Sequence, residues 1–242
     1  MKLVQKLPVA LAVACVMMMS SCSKEDVQTP EPKVESVNVH SSLRGAGGVI
    51  ALPQFPSTFG ATGVDIYPTS WERAIYPGNA SWPGTPSVAA FPTGVSNRTH
   101  AFGIAHQWVK PLPAIPSAPG ANSFVTFVTN SSEFDVAKRA DVEAKIKHLV
   151  VGQKYSIEFY VATTSIGVSG SGYAKRIIAQ VAYPNYFVDI NLTGKKAEWV
   201  KASFVFKARY QEETFSVAAA SENNTFAYAH IFVDQNSIKK VR

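Results

Sequence analysis

Apolar and polar residues alternate with a period of two through much of the second half of the chain. In 154–164, KYSIEFYVATT, Tyr155, Ile157, Phe159 and Val161 share one face, and Ser156, Glu158 and Tyr160 share the other. Such alternation marks a half-buried β-strand. From Ser123, Phe124, Thr126 and Val128 alternate with Val125, Phe127 and Thr129 in the same way. Further strands are predicted over 174–183, 186–192, 198–209, 213–220 and 226–234. In 142–148 the residues Val142, Ala144 and Ile146 line one face of a strand. A helix over 133–148 competes there, because EFDVAKRADVEAKIKH is rich in helix formers, and a helical turn near 134–139 is allowed. Gly152, GVSGSG at 167–172 and ENN at 222–224 punctuate the strands as turns. Many short strands and no amphipathic helix in this half predict an all-β fold, an antiparallel β-sandwich.

Residues 46–120 have a different texture. Eleven of the fifteen prolines fall between Pro53 and Pro119. Proline removes a backbone donor, so strands here must be short or lie at edges. The same region carries Phe55, Phe59, Tyr67, Trp71, Tyr76, Trp82, Phe91, Phe102 and Trp108. Residues 23–45 are polar and poor in large apolar groups, and read as a tether.

The first residues are organised differently again. Lys2 and Lys6 precede LPVALAVACVMMM at 7–19, a run of about thirteen residues, too short for a bilayer-spanning helix of about twenty. It has the length of a signal-peptide core. Ser20 and Ser21 lead to Cys22, and MSSC at 19–22 resembles the lipobox of bacterial lipoproteins. Methionine stands where leucine is commoner. The resemblance implies that the Cys22 thiol carries diacylglycerol, that the chain is cut before it, and that the new amine is acylated, for example with palmitate. Two or three acyl chains anchor a protein stably where one does not. Lys24, Glu25 and Asp26 follow, and this run resembles the surface-export signal of Bacteroidetes lipoproteins. The expected organisation is a signal peptide over 1–21, a lipidated tether over 22–45 and one domain over 46–242. The expected location is the outer membrane, with the domain exposed at the cell surface.

Composition narrows the chemistry. The net charge of +6 becomes +4 once Lys2 and Lys6 are removed, and the remaining basic residues are scattered. A nucleic-acid protein would concentrate them on one stripe, so no nucleic-acid partner is expected. Both cysteines, Cys15 and Cys22, lie in the N-terminal segment, which leaves the domain without disulfides or thiolate metal sites. The five histidines form no HExxH motif, and no serine sits in a G-x-S-x-G turn.

Three segments carry a resemblance to the galactose-binding-like jelly-roll superfamily, which includes many carbohydrate-binding modules. They are ADVEAKIKHLVVGQKYSIEFYVA at 140–162, EWVKASFVFKA at 198–208 and AHIFVDQNSIKKV at 229–241. Trp71 is similar to the early tryptophan of these domains, while their Asn-Gly-x-Phe-Glu signature is missing. The resemblance implies a jelly roll that binds carbohydrate. It also implies that Asp234 helps to hold a structural Ca²⁺. Calcium takes six to eight oxygen ligands, so one carboxylate alone does not make such a site.

Sugar rings lay their C–H faces on aromatic side chains while their hydroxyls seek polar groups, so exposed rings on polar loops are candidate ligand contacts. Trp82, Trp108, Tyr76, Tyr183 and Tyr186 meet that description. Trp199 is placed in the core beside Phe204 and Phe206. The expected function is binding of an extracellular glycan or surface polysaccharide without catalysis. A structural or adhesive protein that contacts other proteins, or a glycan-degrading enzyme built on a carboxylate pair, are the alternatives.

Two substitutions test the anchor. Cys22→Ala is expected to leave an unlipidated precursor, seen as loss of label from a radioactive fatty acid. Replacing Lys24, Glu25 and Asp26 with alanine is expected to retain the lipid but abolish protease accessibility on intact cells.

Overall fold

The computed structural model describes residues 51–74, 91–103, 106–134, 139–182 and 185–242. Strands are the only regular elements among them. The Pro/Gly-rich part supplies β1 (Gly63–Val64), β2 (Trp71–Arg73), β3 (Thr93–Asn97), β4 (His100–Ala101) and β5 (His106–Gln107). There follow β6 (Ser123–Thr129), β7 (Val142–Ile146), β8 (Lys154–Thr164), β9 (Ser171–Gly172), β10 (Ala174–Val181) and β11 (Tyr186–Asn191). The last four are β12 (Val200–Lys207), β13 (Glu213–Ser221), β14 (Phe226–Phe232) and β15 (Ile238–Lys240). The strand predicted over 142–148 is β7. Residues 135–138 of the expected helical turn lie outside the described residues.

Two sheets stack face to face as an antiparallel sandwich, as the alternation predicted. The eight-stranded sheet runs β1-β3-β6-β14-β8-β12, with β15 also on β8 and β9 on β14. The five-stranded sheet runs β11-β10-β13-β7-β2. The strands of both sheets pair antiparallel, apart from β9, which lies parallel to β14. The sheets and every described core residue fall within the compact unit Val49–Arg242. That span has a hydrophobic core of its own, the property that lets a domain fold alone.

The core follows from parity. Tyr155, Ile157, Phe159 and Val161 of β8 point inward and are buried. On the opposite sheet Ile177, Ala179 and Val181 of β10 sit across from Ala219, Val217 and Phe215 of β13. Large sits beside small in the first two of these pairs, on the inner face of the same sheet. Phe215 is the hub between the sheets. Its ring lies 4.9 Å from Phe55, 5.5 Å from Phe159 and 6.3 Å from Trp71, edge-on to each. Trp71 also donates its indole N–H to the Pro56 carbonyl at 2.9 Å.

Trp199 lies outside this main core, contrary to expectation. In β12 the even positions Ala202, Phe204 and Phe206 face inward, so the odd-numbered Trp199 projects to the other side. There it is half-buried, edge-on to Phe124 at 5.2 Å, and donates to the Pro113 carbonyl at 3.1 Å.

The outer face of the eight-stranded sheet carries a second apolar layer. The described residues between 98 and 121 cross it, tied to the residue after β8 by Val109 N–H to the Ser165 carbonyl and braced within themselves by Trp108 N–H to the Thr99 carbonyl and Leu112 N–H to the Arg98 carbonyl. Among them Phe102, Trp108, Leu112 and Ile115 cover Phe124, Val128, Tyr228 and Phe232. His230 is fully buried in the middle of this layer, with the Trp108 ring at 5.1 Å and the Phe124 ring at 4.9 Å. Its Nδ1 is 2.9 Å from the Thr126 hydroxyl and its Nε2 is 2.6 Å from the Thr164 hydroxyl. A neutral imidazole donates through one nitrogen and accepts through the other, and the two hydroxyls complement either tautomer. Burial lowers the His230 pKa to about 3.

The unfolded chain therefore takes up this proton first as the pH falls. The contribution of His230 is fully present above about pH 6.5 and is lost progressively as the pH falls toward about 3. Between pH 7 and pH 5 the wild type is expected to lose about 2 kcal/mol of stability through this group. His230→Gln should be less stable at pH 7 but lose much less over that interval. Urea titrations of both proteins at the two pH values check this, and equal slopes would refute it.

Candidate functional site

The outer face of the five-stranded sheet is open, unlike that of its partner. Phe215, Val217 and Ala219 of β13 turn into the core, so Thr214, Ser216 and Ala218 turn outward. These three are small, and they lie on the central strand of the sheet. Taller side chains stand around them, so the face is hollowed into a groove of about 800 Å³. Ile178 and Gln180 of β10 and Glu143 of β7 flank the floor. Arg209, Tyr210 and Glu212 stand at the Glu213 end, and Phe134 and Arg139 also line the groove. The floor from Thr214 to Ala218 is about 14 Å long at the usual rise of a strand.

Each wall has a physical support. The buried Glu213 carboxylate accepts the backbone N–H groups of Arg209 at 2.7 Å and Tyr210 at 3.2 Å, which fixes the turn before β13. Tyr210 is held there with 63% of its surface exposed, and the Arg209 guanidinium lies 5.7 Å from the centre of its ring. Arg139 makes a two-pronged ion pair with the buried carboxylate of Asp141 and also donates to the Phe134 carbonyl. The Phe134 ring lies between the Arg139 and Arg176 guanidiniums, at 5.5 and 5.2 Å. Arg176 is paired with Asp189 on the neighbouring strand.

The floor offers hydrogen bonds. Gln180 donates its amide to the Ser216 hydroxyl at 2.9 Å, which leaves the Gln180 carbonyl oxygen and the Ser216 proton for a ligand. Phe187 sits directly across from Gln180 on β11 and is 61% exposed. The groove thus combines the exposed Tyr210 ring, small floor residues and charged rims, with the exposed Phe187 ring beside it. Of its three carboxylates, Glu213 is taken up by backbone amides, Glu143 is paired with Lys145 at 3.0 Å, and Glu212 is exposed at the rim.

The candidate rings from the sequence fare differently. Tyr76, Trp82, Tyr183 and the lipid-bearing Cys22 lie outside the described residues. Trp108 is 2% exposed, which corrects its expected exposure. Its flanking polar and glycine residues belong to the loop layer, while the ring packs on Tyr228 and His230 and donates to the Asn97 carbonyl at 2.9 Å. No face of it is left for a sugar. Tyr186 is half-buried and packs against the core, edge-on to Phe206 at 6.4 Å. Its strand turns positions 186, 188 and 190 inward, so the exposed ring is its neighbour Phe187. Parity could have identified Phe187, since an aromatic at an outward position has no packing role. Tyr210 carried a weaker signal, a lone ring in the polar turn RYQEE.

Asp234 ends the segment after β14. Its carboxylate accepts the Asn236 N–H at 2.7 Å, and Ser237 closes the turn by accepting the Asp234 N–H at 3.1 Å. This is the turn-capping chemistry of aspartate. No group of three or more His, Cys, Asp or Glu side chains able to hold a metal occurs among the described residues.

No family model and no curated protein matches the sequence. Among solved structures the chain is similar to TmCBM61 in complex with beta-1,4-galactotriose, at 16% identity, covering 62% of this chain and 88% of that one, with a TM-score of 0.34. It is also similar to a family 35 carbohydrate binding module from an environmental isolate, at 10% identity over 61% and 85% of the two chains, TM-score 0.29. A third similarity is to the K2 cleaved adhesin domain of Lys-gingipain, at 12% identity over 78% and 98%, TM-score 0.36.

Burial separates the rings by what their loss costs. Trp108→Ala is expected to lower stability by about 3–5 kcal/mol, the range for deleting a core aromatic. Tyr210→Ala and Phe187→Ala should each change it by less than about 1 kcal/mol. Chemical denaturation of residues 49–242 measures all three, and a Trp108→Ala protein as stable as wild type would overturn the assignment.

Proposed function

We propose that this chain is a surface-exposed outer-membrane lipoprotein that holds a glycan in the groove of its five-stranded sheet and leaves it chemically unchanged. The observation that carries the reading is the groove itself. A shallow trough with an exposed ring at Tyr210, a second exposed ring beside it at Phe187, across from Gln180, and hydrogen-bonding groups at Gln180 and Ser216 suits a ligand that is apolar on its faces and polar at its edges. A sugar chain has that character. The trough is open, so a chain can lie along it, and the floor of about 14 Å suits a short stretch of one. The absence of catalysis is supported by the state of the carboxylates. Glu213 positions the Tyr210 turn and Glu143 is engaged with Lys145, which leaves Glu212 as the one carboxylate of the described groove lining without such a partner. Glycoside hydrolysis needs two carboxyl groups facing one bond, one to give a proton and one to attack or activate water. The anchor rests on MSSC and the apolar run before it.

A glycan array probed with residues 49–242 identifies the ligand. Tyr210→Ala and Phe187→Ala are each expected to weaken binding by about tenfold or more, as for a central aromatic in an interface. Trp199→Ala, on the opposite sheet, should bind as wild type. Variants of Tyr210 and Phe187 that bind with unchanged affinity would remove the groove from the reading. A protein that binds no glycan but adheres to other proteins would favour the adhesive alternative.

A further inference from the structure

We propose that the end of the sandwich from which residue 51 emerges docks on an anionic lipid surface, so that the anchored domain lies against its membrane. This rests on the lipid-anchor reading. The described chain begins beside the turn that follows β7, because Gln54 pairs with Lys147. At that turn Val150 and Val151 are 52% and 58% exposed, and Leu52 is 78% exposed. Turn tips favour Gly, Asn, Asp, Pro and Ser, so two valines there have no explanation in turn chemistry. The valines are also firmly presented. Leu149 N–H donates to the Gln211 carbonyl, Gly152 N–H to the Ala208 carbonyl, and Val150 N–H to the Tyr155 hydroxyl at 2.9 Å.

Cations surround them. Lys154 and Lys207 face each other directly across β8 and β12, and both are exposed. Like charges directly opposite on neighbouring strands repel. Lys240 pairs opposite Tyr155, one residue from Lys154, and Lys147, the residue after β7, bridges to Gln54. None of Lys147, Lys154, Lys207 and Lys240 has a carboxylate partner among the described residues. The exposed carboxylate of the adjoining loop, Glu212, lines the groove on the sheet face instead. Rigid, protruding apolar side chains ringed by lysines suit the boundary of an anionic bilayer, where the apolar groups enter and the cations meet phosphate.

Geometry makes the occupant a membrane. The 28 residues between Cys22 and Ala51 reach at most about 100 Å, and their far end meets the domain at this patch. A lipid on Cys22 would therefore keep the patch at high effective concentration over the bilayer, so weak contact suffices.

Sedimentation of residues 49–242 with vesicles of phosphatidylcholine and phosphatidylglycerol at low salt tests this without the Cys22 lipid. The wild type should bind these vesicles, lose binding at high salt, and bind pure phosphatidylcholine much more weakly. Each basic residue adds roughly fivefold to binding near an anionic surface. Lys154→Glu with Lys207→Glu should therefore cost at least about 25-fold, and Val150→Asp with Val151→Asp should abolish sedimentation. Both variants should melt like the wild type and keep their glycan binding. Failure of the wild type to bind, or equal binding by the variants, overturns the proposal. A failure of lipid labelling at Cys22 would instead overturn the anchor, and with it the membrane as the occupant of this patch, whatever the vesicles show.

Discussion

A β-sheet has two faces, and a sandwich buries only one face of each. What happens to the second faces organises this molecule. The eight-stranded sheet has apolar residues on both sides of its central strands. In β14, Ala229 and Ile231 enter the main core, while Tyr228, His230 and Phe232 face outward. Left bare, that outer surface would be a large apolar patch, so a cover is required. The described residues between 98 and 121, from the end of the Pro/Gly-rich region, supply it, and their prolines suit a layer that drapes over a sheet without joining its ladder. The five-stranded sheet has small and polar residues outward on β13, needs no cover, and so keeps a solvent-filled trough.

Burial of His230 shows how the cover is fixed in place. A buried imidazole is tolerated only if its nitrogens are satisfied, and Thr126 and Thr164 satisfy both. The ring can then act as an apolar plate between Trp108 and Phe124 while the hydroxyls specify its orientation. The polar network and the aromatic packing support each other, so the loop layer is part of the folded core and its tryptophan is a packing group.

Most of the architecture was legible in the sequence because a strand with one buried face writes its parity into the chain. The strands at 123–129 and 154–164 have the boundaries that alternation predicts. The errors arose where alternation gives no orientation. Trp108 lies in a loop, where flanking Gly, Pro and polar residues look the same whether the loop is free or draped over a sheet. Trp199 and Tyr186 lie on or beside strands, and there the parity was readable but was read for the wrong neighbours. The groove could not be read at all, because it depends on which residues three strands and two loops bring together. Nothing in TFSVA at 214–218 announces a floor until β7 and β10 are known to lie on either side.

β13 shows how one strand serves both fold and site. Its inward set, Phe215, Val217 and Ala219, includes the hub that joins the two sheets. Its outward set, Thr214, Ser216 and Ala218, is kept small, and the groove exists because of that restraint. Its first residue, Glu213, spends its carboxylate on the amides of the preceding turn and so sets the position of Tyr210. A buried carboxylate is costly unless it is fully hydrogen-bonded, so the turn cannot relax without exposing or orphaning that charge. The position of the exposed ring is thus tied to the same strand that locks the core. A rigid scaffold of this kind lets a surface aromatic meet a ligand without a further ordering cost.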